Sequence, residues 1–167
     1  MLAHGFAMAG LLFVAELIVE RTGQSGITSV GGLTKAMPTF TGLALVLLAS
    51  AMGLPLLAGF VGEFCTLLAA WHFHPQAWPA AGQVYTMIAA GSFVLVAGYI
   101  LWTIQRIFLA PKVYQTPLDD LDGREGLILG AIVVLTVLLG IWPMLIFDWI
   151  DPTVNGLVQA LAQATGW

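Results

Sequence analysis

Apolar residues fill this chain in long runs separated by short polar stretches. A hydrocarbon core about 30 Å thick takes roughly 20 consecutive apolar residues as a helix. Runs of that kind predict membrane spans over 2–19, 39–71, 84–109 and 126–147. The second run holds about 33 residues, near 50 Å as one helix at about 1.5 Å per residue, too long for one straight crossing. Gly53, Pro55 and Gly59 fall inside it and predict a break over 53–59. Beyond the fourth run, Val154, Leu157, Val158 and Leu161 recur at helical spacing, which predicts a short interfacial helix over about 152–165. The expected fold is all-α: one polytopic membrane helix bundle over 1–167, with four spans, the second broken, and a short C-terminal interfacial helix.

Composition agrees with this pattern. Of the 167 residues, 59% are hydrophobic and 8% charged, where a soluble domain carries about 25% charged residues. Met1 leads straight into an apolar run, with no basic stretch or small-residue cleavage site, so this run reads as a span rather than a signal peptide. The single cysteine, Cys65, excludes a disulfide framework and a cysteine metal site. The net charge of −4 is spread among loops, and no block of like charge points to nucleic acid.

Charge between the spans predicts topology. The loop over 20–38 holds Arg21 and Lys35, and the third loop with the end of its preceding span holds Arg106, Lys112 and Arg124. The loop over 72–83 and the tail hold no lysine or arginine. The positive-inside rule then places the first and third loops in the cytoplasm and both termini on the periplasmic side. Trp71, Trp78, Trp102, Trp142 and Trp149 fall near span ends, as an aromatic belt would.

Candidate chemistry starts with Glu63, just past the predicted break. An ionisable group at membrane depth is costly, and marks ion paths and proton relays. The reading places Glu63 in the opening turn of the second half-helix, where free N–H groups favour its ionised form while apolar surroundings favour the neutral one. The alternative is a structural carboxylate capping N–H groups freed by the break. His4 suits a proton relay; its alternative is an interfacial polar residue. Glu16 lies about 18 Å along the first helix from His4 and is a candidate for the same path. Glu20 adjoins Arg21 and reads as a helix anchor. His72 and His74 form an H-x-H pair with no further ligand near, so they read as loop polarity before a proton exit, and as a proton exit before metal. Arg106 reads as snorkelling to the interface, and Asp122 as the N-cap of the fourth span. No phosphate loop, nucleophile elbow, haem, iron–sulfur or nicotinamide motif occurs, so no catalytic site, metal or cofactor is expected in this chain.

Several local patterns together resemble one family. They are Met1-Leu2-Ala3-His4-Gly5, Glu20-Arg21-Thr22, Gly31-Gly32-Leu33 with Met37-Pro38, and Gly53-Leu54-Pro55 followed by Gly59-Phe60-Val61-Gly62-Glu63-Phe64. Gln105-Arg106-Ile107-Phe108 and Leu139-Gly140-Ile141-Trp142-Pro143 follow. In order and spacing they are similar to the last helices of the antiporter-like membrane subunits of proton-translocating NADH-quinone oxidoreductase (respiratory complex I), of the chain M or mitochondrial chain 4 type. The resemblance covers essentially the whole chain.

It implies a proton half-channel built on a broken helix and driven by quinone reduction elsewhere. Glu63 matches the carboxylate of the second broken helix and His4 a histidine of the central hydrophilic axis. NADH, FMN, iron–sulfur clusters and quinone are then expected in other subunits. The expected partners are the other membrane and peripheral subunits of complex I, an upstream portion of the same subunit, and the lipid of a bacterial inner membrane. Two departures stand out. The family's subunit is about three times longer, so this chain is expected to be a fragment or split-gene product whose first helix continues upstream. Glu16 also stands where the family usually has a small residue. Two alternatives remain open at this point: a subunit of a related multisubunit Na+/H+ antiporter or membrane-bound hydrogenase, and a structural membrane fragment that moves no ion.

Overall fold

The computed structural model describes residues 1–74, 78–111, 114 and 117–165. Among these the chain is helical throughout its ordered elements: α1 (Leu2–Thr22), α2 (Leu33–Ala36), α3 (Pro38–Ala51), α4 (Ala58–Trp71), α5 (Ala81–Ile104) with a π-helical turn over Gln105–Leu109, α6 (Gly123–Ile141) and α7 (Met144–Thr165). Among the described residues, three helices are long and apolar enough to cross a membrane: Leu2–Thr22, Ala81–Leu109 and Gly123–Ile141. α3 and α4 have 14 residues each, about 21 Å apiece, so only the broken pair together makes a crossing.

α1, α3 and α6 form the packed heart of the bundle. α1 turns Ala7, Gly10, Val14, Leu17 and Ile18 inward, against Ala44 and Leu47 of α3 and Leu129 and Val133 of α6. Gly10 sets how closely they approach, because a Cβ there would stand 2.7 Å from Leu47 Cδ1 and 3.2 Å from Ile132. Small residues at such crossings let membrane helices gain dispersion contacts that lipid would otherwise supply.

The first and third loops share one end of this bundle, as the charge pattern predicts. Arg21 grips both carboxylate oxygens of Glu125 at 2.9 and 2.7 Å. The Asp120 carboxylate accepts the N–H groups of Thr39 and Phe40 at the start of α3, the Tyr114 hydroxyl donates to the Gly31 carbonyl, and Thr34 Oγ1 donates to the Phe108 carbonyl. Asp122 caps α6 in a capping box with Glu125, matching the sequence expectation. Lys112, counted in the charge pattern, lies outside the described residues.

Three boundaries differ from the sequence reading. The segment over 20–38, read as a loop, contains the single turn α2, and its Leu33 and Met37 are fully buried in the core. The fourth span stops at Ile141, not 147: Pro143 has no N–H to donate, and it forces Trp142 out of helical geometry to φ −125°, ψ 66°. α7 consequently begins at Met144 and runs through Pro152, where the sequence reading placed its start.

Candidate functional site

The break after α3 is a Schellman-type ending. The N–H of Gly53 donates to the Ser50 carbonyl (3.1 Å) and that of Leu54 to the Ala49 carbonyl (3.1 Å), while Gly53 adopts the left-handed conformation at φ 75°. This is the usual helix stop, and glycine holds that position at no steric cost. Pro55 then prevents the helix from resuming. Leu56, at φ 74°, is the one non-glycine residue in the left-handed region among the described residues, a strain of about 1–2 kcal/mol. Its carbonyl packs against Gly140, where a Cβ would collide with it, so the end of α6 holds the break in place.

α4 starts at Ala58 after an extended Leu57. Glu63 therefore sits in the second turn of α4, not the opening turn that the sequence reading gave it. The helix N-terminal N–H groups are those of the first four residues, one residue short of Gly62. Side chains on a helix tilt toward its N-terminus, however. The Glu63 carboxylate accordingly reaches back to the break and lies against Gly53, where a Cβ would collide with it. Gly59 serves the same close packing, with its Cα against the Ser50 carbonyl. The three residues expected to break the helix thus divide the work: Gly53 turns the chain and admits the carboxylate, Pro55 blocks the helix, and Gly59 lets α4 start beside the end of α3.

Glu63 and His4 line one cleft of about 540 Å³ between α1, α3, α4 and α5. Ser50, Thr66, Tyr99 and Thr103 add polar groups to walls that are otherwise apolar. Thr66 and Thr103 turn their hydroxyls back to the carbonyls of Gly62 and Tyr99. Ser50 is different: it is 1% exposed, and its Oγ has no hydrogen-bond partner among the described residues. A buried hydroxyl is costly to leave unpaired, and Ser50 contributes one to the wall of the cleft. Sequence reasoning passed over it, although it is the only hydroxyl in the run 43–60.

Glu16 does not join this group. It is exposed and lies beyond the cleft, on the face of α1 turned away from α3 and α6. His74 Nδ1 lies 3.0 Å from the Pro79 carbonyl at the opposite end of α4, which ties it to its own loop. Among the described residues no group of three or more His, Cys, Asp or Glu side chains gathers to hold a metal ion.

The family profile described as NADH:quinone oxidoreductase/Mrp antiporter, transmembrane, matches residues 1–89, from His4 through the break and Glu63. NADH-quinone oxidoreductase subunit M of Rhodobacter capsulatus is 34% identical over 174 aligned residues, covering 99% of this chain and 32% of that subunit. NADH-ubiquinone oxidoreductase chain 4 of Metridium senile is 34% identical over 95% of this chain and 30% of its own length. Among solved structures, a chain of respiratory complex I from Thermus thermophilus with bound NADH superposes with a TM-score of 0.72 at 32% identity, over 84% of this chain and 28% of that one. The chain thus spans about a third of the length of the curated relatives it matches. It belongs to the NADH:quinone oxidoreductase/Mrp antiporter family of transmembrane subunits.

Proposed function

We propose that this chain supplies part of a proton half-channel in the membrane arm of a respiratory NADH-quinone oxidoreductase. The observation that carries the reading is that His4 and Glu63 line one cleft beside a broken helix, with the Glu63 carboxylate against the break itself. An irregular backbone at membrane depth is tolerated where it lines a cavity, and a carboxylate there marks an ion path. Glu63 takes up and releases the proton, His4 exchanges it along the cleft, and the Ser50 hydroxyl in the same wall joins the path when the cleft opens to water.

In this reading the redox work, with NADH, FMN, iron–sulfur clusters and quinone, belongs to other subunits. The chain assembles with those subunits and with the upstream portion of its own subunit, in a bacterial inner membrane. Arg21, Lys35, Arg106 and Arg124 then face the cytoplasm, and both termini the periplasm. Glu16 stands apart from the cleft, and a role for it in the path needs water reaching its outer face. The family description also covers Mrp antiporters, which supports a second reading as a subunit of a multisubunit cation/proton antiporter.

Purification from the native membrane under mild detergent separates the readings. Redox subunits that co-purify in fixed proportion support the oxidoreductase. Within such a preparation, His4→Gln is expected to lower proton translocation while electron transfer to quinone from the peripheral arm remains measurable. A His4→Gln complex that pumps normally removes His4 from the path.

A further inference from the structure

One face of α1 is unused by the bundle. Gly5, Ala9, Leu12, Glu16 and Val19 are all exposed, and they follow one another at spacings of four and three residues. That spacing is the seam by which one helix receives a single partner helix at a shallow crossing angle. At one end Gly5 and Ala9 form a small-x-x-x-small pair, and nothing lies within 4 Å of where a Gly5 Cβ would be. This lets a partner backbone come close. Toward the other end stands Glu16, opposite the buried stripe of Ala7, Gly10, Val14, Leu17 and Ile18. It makes no hydrogen bond or ion pair among the described residues.

Glu16 is badly placed to reach water from where it is. It lies about 9 Å of helix inside Thr22, and its Cα–Cβ bond tilts toward the N-terminus, deeper into the span. Lipid offers such a carboxylate no compensation, and intramembrane carboxylates pair with other groups. Arg21, the basic residue on α1, points elsewhere and is bound to Glu125. A second copy of this chain packed on the same seam would set Glu16 near Glu16, which like-charge repulsion opposes.

We infer that this seam of α1 docks one transmembrane helix of another part of the assembly, and that this helix carries a lysine or arginine facing Glu16. The inference is independent of the proton path through Glu63, since Glu16 lies outside that cleft.

A photo-reactive amino acid at Leu12, in native membranes containing the full assembly, tests it. The expected product is a cross-link to a membrane-helix peptide that contains a lysine or arginine within one turn of the attachment point. Glu16→Lys should cut its yield several-fold, Glu16→Gln should cut it less, and changing the partner's basic residue to glutamate should restore it in the Glu16→Lys background. If Glu16→Lys fails to accumulate, Glu16→Gln against the matching neutral substitution in the partner gives the same comparison. Adducts only to lipid, to a second copy of this chain, or to a helix without a basic residue overturn the inference. So does a yield insensitive to Glu16.

Discussion

The Glu63 carboxylate lies against the Cα of Gly53, ten residues earlier in the chain and across the helix break. Two demands meet at Gly53: a left-handed turn at φ 75°, and room for the carboxylate of the next half-helix. The break and the ionisable group are thus one structural unit.

Gly53→Ala is expected to damage both halves of that unit. The left-handed backbone costs an alanine about 1–2 kcal/mol, and its methyl group would displace the Glu63 carboxylate. Quantifying the subunit in assembled complexes, alongside the protons moved per quinone reduced, checks this. Lower assembly together with lower coupling is the expected outcome; normal values of both would show that the contact has no consequence.

Ser50→Ala separates a structural from a conducting role for the buried hydroxyl. Its Oγ makes no protein hydrogen bond among the described residues, so its loss should leave assembly and thermal stability nearly unchanged. Proton translocation should fall severalfold, and Ser50→Thr should restore part of it. A variant less stable but fully coupled would contradict the assignment.

Arg21 and Glu125 tie the end of α1 to the start of α6 through two short hydrogen bonds, with both side chains only 18% exposed. Removing one partner leaves the other charge poorly solvated. Arg21→Gln and Glu125→Gln should each destabilise the bundle more than the double variant's additive share, with a coupling energy of about 0.5–3 kcal/mol. A double-mutant cycle on thermal unfolding in detergent measures it.

The Asp120 carboxylate lies in the loop before α6, outside the spans. Burial alone would raise its pKa, but the N–H groups of Thr39, Phe40 and Leu121, with the Thr39 side chain, outweigh burial and hold it below the ordinary carboxylate value. A group depressed in the folded state contributes stability that is fully present above its unfolded value, about 3.9, and lost as pH falls through the folded value. Asp120→Asn should therefore be less stable than the parent near neutral pH, and the gap should close on acidification through and below about pH 4. Unfolding midpoints across that range check the sign.

Much of this architecture was legible in the sequence because membrane helices announce themselves by length and composition. The broken span was legible for a sharper reason: Gly53 and Pro55 can form a helix stop, and about 33 apolar residues do not fit one crossing. Where the reading slipped, the cause was local geometry. Leu145, Ile146 and Phe147 extend the hydrophobic run of α6, but Pro143 removes the hydrogen bond that would continue its helix. Leu33 and Met37 sit in a segment punctuated by Gly31, Gly32 and Pro38, which reads as loop, yet tertiary contacts bury both. Glu63 was placed a turn too early because the break was read as running through Gly59, whereas α4 already begins at Ala58; side-chain tilt still brings its carboxylate back to the break. Ser50 had no signal beyond being a hydroxyl among apolar neighbours; its importance depends on which helix end it meets. That His4 and Glu63 share a cleft while Glu16 stands outside it follows from how four helices cross, which no local pattern encodes.

The decisive measurement is the number of protons translocated per quinone reduced by the assembled complex carrying Glu63→Gln, compared with Glu63→Asp and the parent. If Glu63 carries the proton past the break, Glu63→Gln lowers that ratio and Glu63→Asp recovers part of it, with the subunit present at normal levels in both. An unchanged ratio in a fully assembled Glu63→Gln complex would contradict the proton path through this cleft.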